Sequence, residues 1–166
     1  IFFMLDVRHR RIVRRNLKFA FPRWSWDRVL AVTRQVYQNF GVTLLEILQS
    51  LCFTRSDIRK KVRMARPEIF NGLQNADSVV MITAHLGNWE MALQVAACYL
   101  KKPPVAVART IANKTLDRWV HRMRARFGAE IITKKGALPE MTRTLRSGRV
   151  LALLIDQGMK ASEGVE

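Results

Sequence analysis

His85 and Glu90 are the residues of this 166-residue chain whose types and spacing best suit proton chemistry. They bracket the segment His85-Leu86-Gly87-Asn88-Trp89-Glu90, where an apolar, β-branched run gives way to a helical pattern. An imidazole titrates near neutral pH and exchanges protons through either ring nitrogen. A carboxylate that accepts a hydrogen bond from one nitrogen fixes the tautomer and leaves the other free to take a proton from an alcohol. On one continuous helix, residues five apart point about 140° apart. A turn is therefore needed to bring them together, and Gly87 permits one. A second reading stays open on spacing alone. Asn88 is then a helix N-cap, Glu90 complements the helix dipole, and His85 is a hydrogen-bonded loop residue.

The surrounding elements decide what can reach this segment. Ser78–Thr83 is a short apolar run suited to a buried strand, and a helix is expected over about 88–100. Strands follow at 104–108, 130–133 and 150–155, separated by helices at about 113–127 and up to about Ser147. Such alternation predicts an α/β fold with a largely parallel or mixed sheet and flanking helices. In open α/β sheets ligands bind beyond the carboxyl ends of the strands. That edge would collect His85, Arg109, Lys134, Lys135 and Asp156.

Ahead of the α/β part, residues 1–66 read as a helical, basic segment, a supporting layer or a membrane-facing one, with 67–166 as the N-terminal part of an α/β domain. The first part holds fifteen basic residues against four acidic ones. It carries the cluster Arg8-His9-Arg10-Arg11-Ile12-Val13-Arg14-Arg15 directly after the apolar start Ile1–Leu5. Pro22 breaks the chain, and Ser25 is placed to cap a long helix with an apolar stripe through Val29, Val32, Val36, Phe40, Leu44, Ile47 and Leu48. A third helix is expected from after Ser56 to near Pro67.

The whole chain carries a formal charge of +16, which directs it toward polyanions: nucleic acid, anionic membrane, phosphorylated lipid or acidic protein. Nucleic-acid binding lacks support, because no zinc, helix-turn-helix or aromatic-platform signature accompanies the charge. Cys52 and Cys98 sit in apolar helical patterns and read as buried thiols, and His9, His85 and His121 lack zinc-ligand spacing. No run of about eighteen apolar residues appears.

The segment Thr83-Ala84-His85-Leu86-Gly87-Asn88-Trp89-Glu90 resembles the His-x4-Asp/Glu motif of the bacterial lipid A biosynthesis lauroyl/myristoyl acyltransferases, within the lysophospholipid acyltransferase-like group. Arg8-His9-Arg10, Asn16-Leu17 and Phe21-Pro22 resemble the family's N-terminal signature, and Gly41 with Glu46 the helix after it. Val107-Ala108-Arg109 with Asn113, Arg126-Phe127-Gly128-Ala129 and Leu154-Ile155-Asp156-Gln157 follow in order. Arg109 departs from the pattern in its neighbours, Ala108 and Thr110, where an aromatic residue and a proline are expected. The family's second half, with a Phe-Phe-Gly-type motif, is expected beyond Glu166 and an apolar anchor ahead of Ile1. The chain is thus expected to be a fragment, inactive by itself.

The resemblance implies an O-acyltransferase at the cytoplasmic face of the bacterial inner membrane. His85 would be the general base and Glu90 would orient it. The acceptor would be a hydroxyl of a phosphorylated glycolipid, and the donor a thioester on acyl carrier protein, with no cofactor or metal. Arg109, Asp156 and Asn88 are the candidate substrate-binding residues. Arg109 is placed to hold an acceptor phosphate or developing negative charge, or is a surface arginine; Asp156 holds that arginine or ends its strand. Acyl carrier protein and an anionic membrane surface would account for the basic charge. Lys114, Arg118, Arg122 and Arg126 form either a solvated helix face over a core stripe of Leu116, Trp119, Val120, Met123 and Phe127, or a docking face. The alternatives are transfer to another glycolipid or a glycerolipid, and a noncatalytic membrane- or nucleic-acid-binding basic module.

Overall fold

In a computed structural model, which describes residues 2–157, the chain forms two compact units that divide between Leu48 and Gln49. The first unit is helical, with α1 (Phe2–Leu5), α2 (Val7–Ala20) and most of α3 (Trp26–Ser50). Asp6 caps α2 by accepting from His9 N–H at 3.1 Å, and it also accepts from the Tyr37 hydroxyl at 3.0 Å. At the other end of α2, Lys18 Nζ donates to the Trp24 carbonyl at 2.7 Å, closing the turn at Pro22. Ser25 Oγ accepts from Arg28 N–H at 3.3 Å, which is the expected N-cap of α3.

The apolar stripe of α3 is only partly buried. Val29 is fully buried, whereas Phe40, Leu44 and Leu48 are 43%, 42% and 55% exposed. Helix lengths explain this. At 1.5 Å per residue a 14-residue helix runs about 21 Å and a 25-residue helix about 38 Å, so α2 can accompany little more than half of α3. No helix of the described residues is long and apolar enough to cross a membrane.

The second unit adds α4 (Arg55–Lys61) and α5 (Pro67–Asn75) ahead of β1 (Val79–Thr83), α6 (Trp89–Tyr99), β2 (Val105–Ala108), α7 (Lys114–Ala125), β3 (Glu130–Thr133), α8 (Leu138–Arg146) and β4 (Val150–Leu154). Pro67 begins a helix where the sequence suggested an end. A proline at the first helical position lacks only an N–H that would have no partner anyway. The composition shift lies near residue 66, yet α4 packs with the sheet. Ile58 is fully buried in its core. Arg55 donates to Ala97 O and Arg59 to Cys98 O, so α4 supplies the C-terminal carbonyl partners that α6, with no basic residue in its last turn, lacks.

The four strands are all parallel, in the order β1-β4-β2-β3. The α/β architecture with a leading helical segment is therefore as the sequence implied. Met81, Ala152, Ala106 and Ile131 fall in register across the sheet and on one face, where they pack with Leu93 and Ala97 of α6 and with Ile58. β4 sits between β1 and β2, and its Val150, Leu151 and Ala152 are all buried, as a near-continuous apolar run should be. On α7, Met123 is buried, but Leu116 and Trp119 are 47% and 37% exposed, so the expected core stripe holds only toward its C-terminal end. Cys98 is buried and its thiol is pushed up by that burial, partly offset by Arg55 and Arg59. Cys52 is exposed, contrary to expectation, because it lies in the turn after α3.

Candidate active site

Strand order decides which residues meet at the carboxyl edge of the sheet. Thr83 is paired with Leu154, and Ile155 N–H donates to Thr83 O at 3.2 Å, which carries the β1–β4 pairing one residue further. Two residues past each of these strand ends stand His85 and Asp156. Asp156 Oδ2 accepts from the His85 backbone N–H at 2.9 Å, and Oδ1 lies 2.7 Å from the ring Nδ1. The hydrogen bond to the ring, then that to the backbone, holds the Asp156 carboxyl below its ordinary value of 3.8. An ionised carboxylate can only accept, so Nδ1 carries a proton, and Nε2 presents its lone pair whenever the ring is neutral.

The turn after His85 is tight. Leu86 N–H donates to Ala84 O at 2.8 Å, and Gly87 takes φ +53°. Asn88 caps α6, its Oδ1 accepting from Met91 N–H at 3.0 Å. The Trp89 ring then stands edge-on to the imidazole, with centroids 5.1 Å apart. Gln157 Nε2 approaches His85 Nε2 at 3.3 Å. The imidazole is 29% exposed, half-enclosed but reachable.

Glu90 takes a different place from the one its spacing suggested. It is buried in the first turn of α6, and both carboxylate oxygens accept from Arg124 of α7: Nε to Oε2 at 2.9 Å and one terminal nitrogen to Oε1 at 2.5 Å. The carboxylate on the imidazole is Asp156, which the sequence reading had set against Arg109 or at a strand end. Two features explain the exchange. Glu90 is carried inward by the helix that Asn88 starts, and β4 inserts beside β1 to deliver Asp156.

Arg109 follows β2 and is exposed, one strand from β4; Lys134 and Lys135 follow β3, one strand further. β2 and β4 pair only at Val105↔Leu151 and Ala106↔Ala152. The five expected edge residues thus share one side of the sheet, with direct contact established between His85 and Asp156. Sequence reasoning did not single out Gln157, Arg124 or Trp89 as site residues. Gln157 had a signal in its adjacency to Asp156; Arg124, 34 residues from Glu90, had none.

The arrangement is an imidazole held by a carboxylate. Nδ1 is anchored on Asp156, Nε2 faces the Gln157 carboxamide, and a cationic rim lies along the same edge. Such a pair accepts a proton from a hydroxyl and later returns it to a leaving group. No curated protein matched the chain. A family model described as bacterial lipid A biosynthesis acyltransferase matches residues 1–166. The chain belongs to the bacterial lipid A biosynthesis acyltransferase family.

Proposed function

We propose that His85 is the general base of an acyl transfer from an acyl carrier protein thioester to a hydroxyl of a phosphorylated lipid A precursor. The observation that carries this reading is the 2.7 Å contact between Asp156 Oδ1 and His85 Nδ1, which leaves Nε2 as the proton acceptor. The acceptor hydroxyl loses its proton to Nε2 as its oxygen attacks the thioester carbonyl carbon. The tetrahedral intermediate then expels the thiolate, which takes the proton back from the imidazolium. Proton transfer by a positioned side chain is worth about 10²–10⁴ in rate.

Asp156 orients the ring and balances the imidazolium charge. Glu90, locked to Arg124, fixes the first turn of α6 and with it the Asn88–Trp89 wall of the site. Arg109, with Lys134 and Lys135 on the same edge, supplies positive charge for the acceptor phosphate. The +16 charge suits an acidic carrier protein and the anionic cytoplasmic leaflet of the inner membrane, where the protein would act. The test supplies full-length protein in membranes with labelled acyl-carrier protein and a phosphorylated glucosamine-disaccharide lipid. Labelled lipid product supports the donor and acceptor classes. Product only from a glycerolipid and acyl-coenzyme A would replace them.

A further inference from the structure

The carboxamide of Gln157 is the second polar group on the imidazole, and the chemistry of its contact is constrained. Asp156 accepts the hydrogen bond from Nδ1–H, so in the neutral ring Nε2 is an acceptor, and the atom 3.3 Å from it must be a donor. Gln157 is exposed and lies directly after the residue that fixes the ring. Its N–H group therefore stands at the one atom of the site to which an incoming hydroxyl must bond.

We infer that Gln157 is a further catalytic residue, which yields Nε2 to the acceptor hydroxyl and donates its carboxamide N–H to the carbonyl oxygen of the acyl group. This rests on His85 being the base, as proposed above. A reacting hydroxyl oxygen sits about 2.6–3.2 Å from its base, and the attacked carbon about 3–3.5 Å from that oxygen. The thioester carbonyl must then lie within a side-chain rotation of the place the Gln157 amide occupies. As the new C–O bond forms, the carbonyl electron pair moves onto oxygen and the hydroxyl proton moves to Nε2. The Gln157 N–H meets that oxyanion. When the oxyanion collapses, the C–S bond breaks and the thiolate leaves with the proton from Nε2. Gln157 returns to Nε2 once the products depart.

The experiment measures steady-state acyl transfer across pH by the full-length wild type and by Gln157→Ala, Gln157→Met and His85→Ala. Methionine keeps the length of the side chain without the donor, and an exposed position leaves the core intact in both Gln157 variants. Loss of an oxyanion donor lowers kcat by about 10²–10³, with KM for donor and acceptor within about threefold of wild type. The acidic limb of the pH profile stays where it is in wild type. Wild-type kcat in Gln157→Met, or a loss confined to KM, overturns the inference. So does a displaced acidic limb with kcat recovered on the plateau, which would make Gln157 a positioning partner of the ring. His85→Ala separates the two readings. If it is inactive while Gln157→Met is fully active, only the Gln157 role fails; if it is fully active, the base assignment fails and takes this inference with it.

Discussion

Arg124 closes a two-pronged grip on Glu90, with its Nε and a terminal nitrogen each donating to a separate carboxylate oxygen across the α6–α7 interface. The Arg124 side chain is 23% exposed and that of Glu90 10%, so the pair is largely removed from water. The Glu90 hydrogen bonds, followed by its charge, raise the Arg124 pKa further, against the effect of burial. A planar guanidinium suits this geometry and an ammonium does not.

Removing one partner leaves a desolvated charge with no counterion. Arg124→Met should therefore destabilise the protein by about 2–4 kcal/mol, and Arg124→Lys should restore only part of that. A double-mutant cycle with Glu90→Gln, read by chemical denaturation, should show strong coupling: the double variant loses much less than the sum of the singles. Additive losses would mean that the two side chains do not act together.

The Asp156 carboxyl should titrate below 3.8 in the folded protein, because His85 hydrogen-bonds its ionised form. A depressed carboxylate pKa stabilises the contact above the unfolded value, and the contribution disappears as pH falls through the folded value. Side-chain carbonyl NMR should place the midpoint below 3.8 in wild type and move it back up in His85→Ala. An Asp156 midpoint unaffected by loss of His85 would break the pairing.

Asp156→Asn should lower kcat by about 10²–10⁴ with little loss of stability, since an amide donating to Nδ1 forces the proton onto Nε2 and removes the base. Glu90→Gln in the same assay should cost less activity and more stability, because Glu90 acts on the frame of the site through α6. The opposite ranking would return the orienting role to Glu90.

Gly87→Ala tests the turn. The residue has φ +53°, and an added Cβ would meet nothing within 4 Å, so the cost is one of backbone conformation alone. About 1–2 kcal/mol is expected for a non-glycine residue held there. Activity should fall further than stability, because the turn carries His85 at one end and Asn88 at the other.

Much of this fold was legible because its signals are local. Short apolar runs at 79–83, 105–108, 130–133 and 150–154 and the caps at Ser25 and Asn88 reveal themselves within a few residues, whereas α7 stops at Ala125 with Arg126 as its C-cap, ahead of Gly128. Parallel strands were enough to place His85, Arg109, Lys134, Lys135 and Asp156 on one edge. Which of them touch was not legible, because that depends on β4 entering between β1 and β2, a pairing 71 residues apart in sequence. His85 and Glu90 looked like partners because they are close along the chain, while Asp156 and Arg124 claimed them through tertiary contacts. The exposed second half of the α3 stripe escaped for a related reason: periodicity gives the direction of a face and says nothing of what covers it.

The central claim is that His85 takes the proton of the acceptor hydroxyl. Single-turnover acyl transfer by the full-length protein and its His85→Ala variant, matched for folding, tests this most directly. Loss of about 10²–10⁴ in the chemical step, with substrate binding retained, is the predicted result. Equal transfer by both proteins would contradict it and remove His85 from the chemistry.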